Sequence, residues 1–389
     1  MAKVLCVLQG YANKTEANAI CLDPIIKIWR DSGHYVDVLS LENENQISDG
    51  KVFVVPKKES LNNKLLRQIR KFFYMPLDNP SVVDSIEHAI ERILHTNSYD
   101  VIIAVVNPVE SANAVSRVKQ KYHFPKTILY EIDPTSNRYK YPKGIVEKLW
   151  RKRSIIWELE MYKSFDTIVH MKSHNKHFQD EIYKQFSNKT IYLDIPSFSI
   201  NILEKKMANK KIKMVYAGAF YPELRNPAAM IKLLINVSMK APIYLDIYTG
   251  NSMRSEIQAL IQGYEEVFCL HNYVSQEELM SAYMQADVLI DLGNKESDYL
   301  SSKILQYIGT AKPIIHFAQD NEDVAIDYVD RYSRGINVSL EEDSEVAIGK
   351  VIKFISNLNS LEEANEQELR SVYFENTPEY TAEKIMEIF

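Results

Sequence analysis

The sequence predicts an α/β protein of two Rossmann-like lobes, each a doubly wound parallel sheet covered by helices. Three observations carry this. At 389 residues with 46% hydrophobic content, the chain exceeds one ordinary core and suits two domains of about 150–200 residues each. Short, continuous apolar runs alternate with amphipathic ones along its length, the pattern of strands buried on both faces and joined by helices. That alternation breaks once, in the polar, lysine-rich stretch SINILEKKMANKKIK (199–213), and then restarts. The lobes are therefore expected at 1–198 and 214–374, with 199–213 as linker and 375–389 as a terminal helical segment able to cross back to the first lobe.

The elements follow in order. KVLCVL (3–8), a loop through Gln9, Gly10 and Tyr11, TEANAICLDPIIKIWRDSG (15–33) and YVDVLSL (35–41) read as strand, loop, helix and strand. Further first-lobe strands are expected at 52–56, 100–106, 126–133, 165–171 and 189–196, with helices at 82–96 and 111–122. In the second lobe, strands fall at 214–220, 241–250, 265–274, 286–293, 312–317 and 335–340. Helices there span 226–238, 252–261, 275–285, 301–310 and 344–358, and a last helix occupies 381–389. No repeat or low-complexity tract interrupts them.

Charge and cysteines bound the function. The net charge of −6 conceals 28 Lys+Arg against 23 Asp+Glu in residues 1–200, or +5, leaving 18 against 29, or −11, in the remainder. A positive first lobe suits an anionic acceptor or a lipid surface. Three cysteines, Cys6, Cys21 and Cys269, have neither metal nor disulfide spacing, which suits a reducing, cytoplasmic setting. The N-terminal apolar run is too short for a secretory signal, and no stretch approaches the roughly 20 apolar residues of a membrane span. Membrane contact is thus expected to be peripheral, at the inner face.

The chemistry concentrates in DYLSSKILQYIGTAKPIIHF (298–317), where Ser301, Ser302 and Lys303 open a helix. Unpaired N–H groups at a helix start, with a lysine charge beside them, hold phosphate well, although serine also caps ordinary helices. In YAGAFYPELRNPAAMIKLL (216–234), a strand ends near Gly218, a loop carries Arg225, and a helix opens at Asn226-Pro227. Arg225 in that loop suits bidentate grip on a pyrophosphate; as a solvated loop charge it has no such role.

These two segments and the first-lobe pattern together resemble the GT-B glycosyltransferases, in particular the large retaining group often called family 4. Residues 4–39 look like that group's first strand–helix–strand unit, with Gly10 in its loop and Gly33-His34 before the second strand. ELEMYKSFDTIVHMKS (158–173) is similar to its glutamate-bearing helix and last first-lobe strand, and GAFYPELRNP (218–227) to its donor-lobe entry loop. YLSSKILQYIGTAKPII matches S-K-x-x-E-Y-x-A-x-G-K-P-I with departures. The resemblance covers almost the whole chain and implies a nucleotide-sugar donor, UDP- or GDP-linked, under the second lobe. It further implies a glycan or lipid-linked acceptor under the first, and transfer in the cleft between them.

On that resemblance Arg225 and Lys303 neutralise the diphosphate leaving group, while Gly10, Gly218, Asn294, Ser301, Ser302 and Gln306 contribute to the donor site. No cofactor or metal is expected, since the two cations serve the leaving group and no Asp-x-Asp occurs in the chain. Nucleic acid is not an expected partner. The departures are Gln306, where the motif has a glutamate for the ribose, and Tyr299 at the acidic position seven residues earlier. They keep open a non-catalytic partner subunit of a transferase; a second alternative, on the shared fold, is a nucleotide-sugar 2-epimerase, for which a stronger set of carboxylates and histidines would be expected.

In the first lobe, LYEIDPTSNRY (129–139) puts Glu131 and Asp133 at the sheet's carboxyl edge, placed to orient an acceptor hydroxyl; Asp133 before Pro134 equally starts a turn. His34, His170, His174 and His177 are read as no metal site, the last three lying on a solvent-facing strand end and helix. Finally, KKESLNNKLLRQIRKFFYMP (57–76) sets Leu61, Leu65, Ile69 and Phe72 on one helical face with Lys64, Arg67, Arg70 and Lys71 around it, an expected membrane-contact helix. Arg151, Lys152 and Arg153 are expected to extend that surface.

Overall fold

The computed structural model describes residues 1–14, 16–42, 51–56, 69, 79–122, 126–137, 144–203, 211–295 and 299–389. Two compact units result: Met1–Pro196 together with Glu375–Phe389, and Ser197–Phe374.

The first unit contains β1 (Lys3–Gln9), β2 (Tyr35–Glu42), β3 (Val52–Pro56), β4 (Val101–Val105), β5 (Lys126–Glu131), β6 (Thr167–Met171) and β7 (Thr190–Leu193). They form one seven-stranded sheet in the order β3-β2-β1-β4-β5-β6-β7. Every pairing in it is parallel. β1 is buried along almost its entire length, which explains its unbroken apolar sequence. Leu5, Val7, Ile102 and Ala104 pack with Val83, Ile86 and Ile90 of the helix Pro80–Thr96 in the core; each such aliphatic chain contributes about 1.5–3 kcal/mol of burial.

The helix Ile145–Ser164 has a weaker stripe, but Trp150, Ser154, Trp157, Glu158, Met161 and Tyr162 recur at three- and four-residue spacing and are its buried face. The terminal helix Pro378–Met386 packs on Ala17–Asp31: Trp29 Nε1 donates to the Ala382 carbonyl at 3.0 Å, and Phe389 meets the Trp29 ring edge-on at 5.4 Å.

The second unit contains β8 (Ile212–Ala217), β9 (Ile243–Tyr248), β10 (Phe268–His271), β11 (Val288–Leu292), β12 (Ile314–Ala318) and β13 (Gly335–Ser339), ordered β10-β9-β8-β11-β12-β13 and again all parallel. In each sheet the first strand lies inside, and the strand order reverses beside it, between β1 and β4 and between β8 and β11. Crevices at the carboxyl ends of such strand pairs are where open α/β sheets bind ligands.

The expected strands are all present. The helices not anticipated include the short Glu181–Lys184, Ala325–Asp330 and Glu366–Val372, too few residues each to show a period, and the first part of Ile145–Ser164, whose apolar stripe is weak. Lys64, Arg67, Arg70 and Lys71 lie outside the described residues. Among the described residues no helix is long and apolar enough to cross a membrane.

One local correction concerns the end of the helix Ser302–Gly309. Sequence reading makes Gly309 the residue that lets the helix stop. The reversal is instead made by Ala311, at φ 60°, directly before Lys312 and Pro313, where the family motif has glycine. Alanine is strained in that left-handed conformation. Ala311→Gly is therefore expected to stabilise the protein by about 0.5–1 kcal/mol, measured as a shift of the urea midpoint at constant slope.

Candidate functional site

The second unit's switch point gathers the residues singled out in its sequence. After β8 the chain makes a tight loop in which Tyr221 and Arg225 exchange backbone hydrogen bonds, at 3.1 and 2.9 Å. This loop is tied to the loop after β11, since the Lys295 N–H donates to Leu224 O at 2.7 Å. Gln319 Nε2, following β12, donates to both Leu224 O and Gly293 O. Three strand ends thereby hold one loop, and with it Arg225.

Asn294 is buried and positions Arg225 rather than facing outward. Its Oδ1 accepts from Arg225 Nε at 3.1 Å, and its Nδ2 donates to the Tyr299 carbonyl at 2.7 Å, linking the arginine to the start of the next helix. That helix begins with Ser301 as its cap residue, yet the Ser301 side chain makes no capping bond, so its leading N–H groups are not filled from within by that hydroxyl. Ser301 and Ser302 are half-buried.

Lys303 is half-buried and makes no hydrogen bond or ion pair among the described residues. Burial lowers its pKa; the Asp291 carboxylate pulls the other way, and the Arg225 guanidinium adds to the lowering. An ammonium and a guanidinium thus repel one another at a helix start beside the second sheet's switch point. Gly218, before this loop, donates to Tyr248 O at 3.0 Å, and a Cβ there would meet the buried Tyr216 hydroxyl at 3.0 Å. The helix itself is seated by Tyr307, whose hydroxyl accepts from the Ala217 N–H at 3.1 Å at the end of β8. Gln306 points outward and is exposed.

On the neighbouring strands β11 and β12 lies a charged network that the sequence reading does not find. Asp291 on β11 stands opposite His316 on β12 in register. His316 Nδ1 lies 2.7 Å from Asp291 Oδ2, and its Nε2 lies 3.5 Å from Asp323 Oδ2; all three residues are buried. Burial opposes charging of the ring, but the two carboxylates outweigh it and push the His316 pKa up to about 9. A Cβ at Gly293 would fall 1.8 Å from Asp323 Oδ2, so the glycine lets that carboxylate in. The signal in the sequence was one polar residue inside each of two apolar strands, VLIDL and IIHFA.

The network has a measurable pH signature. Since the folded-state pKa lies above the unfolded value of about 6.5, its stabilisation is complete below that value and is lost as pH rises toward 9. Urea unfolding between about pH 6 and pH 10 is expected to show stability falling by on the order of 3 kcal/mol from this group, with His316→Gln removing that part of the slope.

In the first unit, Gly10 adopts φ 71° and its N–H donates to Leu41 O at 3.0 Å. The next loop N–H groups, of Tyr11 and Ala12, go to Ser40 Oγ at 2.9 and 3.3 Å, and Ala12 also to Glu42 Oε1. Any contact of Gly10 with a ligand therefore comes from its missing side chain, not from its N–H.

The two acidic candidates separate. Glu131 is buried, accepting from the Tyr162 hydroxyl and lying 3.3 Å from His170 Nδ1, so its place is in the core of the sheet edge. Asp133 keeps its carboxylate 41% exposed, with His174 Nε2 3.3 Å behind one oxygen.

The histidines correct the solvent-facing expectation: His170 and His174 are each 2% exposed. His170 stacks on Phe178 at 3.5 Å, and burial, then the charges of His177 and His174, drive its pKa well below the usual range, leaving it neutral. Glu158 is buried as well and accepts from Ser136 N, Ser136 Oγ and Tyr183 Oη, each at 2.6 Å, which pins the turn after β5. Arg151 donates to Ser136 O at 2.9 Å, so it braces the same turn; Lys152 is exposed.

No protein-family model and no curated protein matches the sequence. Solved structures do match over nearly the whole length. A sucrose-phosphate synthase from Thermosynechococcus elongatus is similar at 11% identity and a TM-score of 0.71, over 99% of this chain and 98% of that one. A glycosyltransferase from Rickettsia africae is similar at 11% identity and a TM-score of 0.67, over 100% and 97%. WaaG, a glycosyltransferase involved in lipopolysaccharide biosynthesis, is similar at 13% identity and a TM-score of 0.60, over 98% and 99%. What the chain shares with them is architecture, two parallel-sheet α/β units in one order along the chain, and its fold is GT-B.

Proposed function

We propose that this protein is a glycosyltransferase that moves a sugar from a UDP- or GDP-linked donor to a glycan or lipid-linked glycan. The observation that carries the reading is Lys303, a half-buried ammonium without a described partner, set beside Arg225 at the second sheet's switch point. A buried cation is costly unless an anion joins it, and a nucleoside diphosphate is the anion that a helix start, a lysine and an arginine fit together.

In the reaction, the bond between the anomeric carbon and the terminal phosphate oxygen breaks, and the acceptor hydroxyl oxygen bonds that carbon. The acceptor proton passes to the departing phosphate, so a retaining transfer requires no strong protein base. Arg225 and Lys303 stabilise the charge growing on the diphosphate, the task a metal performs in other transferases. Ser301, Ser302 and the helix N–H groups add hydrogen bonds; Asn294 acts through Arg225. Gln306 offers a neutral amide to the ribose, and Gly218 gives close approach. On the acceptor side Asp133 rather than Glu131 orients the hydroxyl.

The lipopolysaccharide role of WaaG supports a surface-glycan acceptor here, with contact to the inner membrane face through the basic first-unit segment. Turnover of a panel of UDP- and GDP-sugars, with free nucleotide release measured with and without glycan acceptors, tests it. Acceptor-dependent release is expected; release of sugar and nucleotide without acceptor marks the epimerase, and no turnover together with no nucleotide binding marks a non-catalytic partner.

A further inference from the structure

A second chemical cluster lies on strands β9 and β10, on the other side of β8 from β11 and β12. Cys269 pairs in register with Asp246, and His271 lies two residues further along β10, so all three side chains share one face of the sheet. One ligand atom from each, a carboxylate oxygen, Sγ and a ring nitrogen, lies within 4.8 Å of the others. His271 Nε2 already sits 2.6 Å from Asp246 Oδ1, and the Tyr248 ring stacks on the imidazole at 4.4 Å and 13°, holding its plane. Asp246 is buried while Cys269 and His271 are half-buried, which leaves room for solvent as a further ligand.

We propose that Asp246, Cys269 and His271 form a binding site for a zinc-type divalent cation. Thiolate, imidazole and carboxylate are the ligands Zn²⁺ takes, with three protein ligands leaving a fourth position for water. Tetrahedral bonds of ~2.0–2.3 Å bring such ligand atoms to roughly 3.5 Å apart, so rotamer adjustments of about 1 Å close the site. On binding, the Cys269 thiol loses its proton to solvent and His271 presents the Nε2 lone pair, its proton residing on Nδ1. Lys213 is the competitor: its Nζ stands 3.3 Å from Asp246 Oδ2 and 3.3 Å from Gln285 Oε1, and it swings toward Gln285 as the ion enters.

The test is titration of the purified full chain with Co²⁺, then Zn²⁺, under reducing conditions. One equivalent of Co²⁺ is expected to produce a thiolate charge-transfer band that Zn²⁺ abolishes by displacement. Cys269→Ser should lose the band, which separates this thiol from Cys6 and Cys21. His271→Ala should weaken Zn²⁺ binding by on the order of 100-fold or more, beyond the loss usual for an outer-shell change. Lys213→Ala should tighten it, and circular dichroism checks that each variant is folded. Absence of a thiolate band in the wild type, or its persistence in Cys269→Ser, overturns the proposal.

Discussion

Lys303→Ala is expected to lower kcat/KM by on the order of 10²–10³, the loss typical when one preorganised charge stabiliser is removed. Arg225→Ala should cost as much, and the double variant less than the product of the two losses, because both side chains act on one diphosphate. Stability should move the other way. Lys303 makes no hydrogen bond or ion pair among the described residues, and its pKa is lowered chiefly by burial. Taking a cation out of such a place relieves desolvation, so Lys303→Met is expected to raise stability by about 1 kcal/mol while donor turnover collapses. Steady-state kinetics and urea unfolding of one preparation measure both. A structural lysine would give the opposite sign in the unfolding experiment.

Gly309→Ala is the second large effect, and here the sign itself decides between two roles. If the glycine merely ended its helix, alanine would help by about 0.5–1 kcal/mol. The structure instead packs the backbone of residues 199–203 on it. A Cβ at 309 would fall 2.0 Å from the Ser199 carbonyl oxygen. Asn201 N–H donates to Gly309 O at 2.8 Å, and Leu203 N–H to Thr310 O at 3.0 Å, so the crossing segment cannot retreat without losing both bonds. The expected cost is about 2–4 kcal/mol, or roughly 5–15 °C in Tm. An unchanged or higher Tm would return Gly309 to the helix-ending role.

Strands were the most legible part of this chain because parallel sheets bury both faces and leave unbroken apolar runs; β1 and β4 are examples. The loop carrying Arg225 and the helix carrying Lys303 were legible from turn chemistry and a helix start. Their meeting depends on strand order, β8 beside β11, which no local pattern encodes. The Asp291–His316–Asp323 network was hidden for a related reason: each residue is one polar letter in apolar surroundings, and only the register of β11 against β12 pairs them. Glu131 was placed correctly at a sheet edge but not recognised as buried, since its cover, Tyr162, comes from a helix 31 residues away. Buried His170 and His174 escape a sequence reading because His170 is the fourth residue of β6 and His174 lies in the turn just after it, and this strand end packs beneath Phe178 rather than opening to solvent.

The most direct measurement is calorimetric titration of the protein with UDP and GDP, repeated on Arg225→Ala and Lys303→Ala. One of the two nucleotides is expected to bind the wild type at a single site, and each substitution should abolish the heat signal or weaken it by at least tenfold. A folded wild-type protein that binds neither nucleotide, or variants that bind as tightly as the wild type, would contradict the donor site and leave the GT-B architecture without the proposed chemistry.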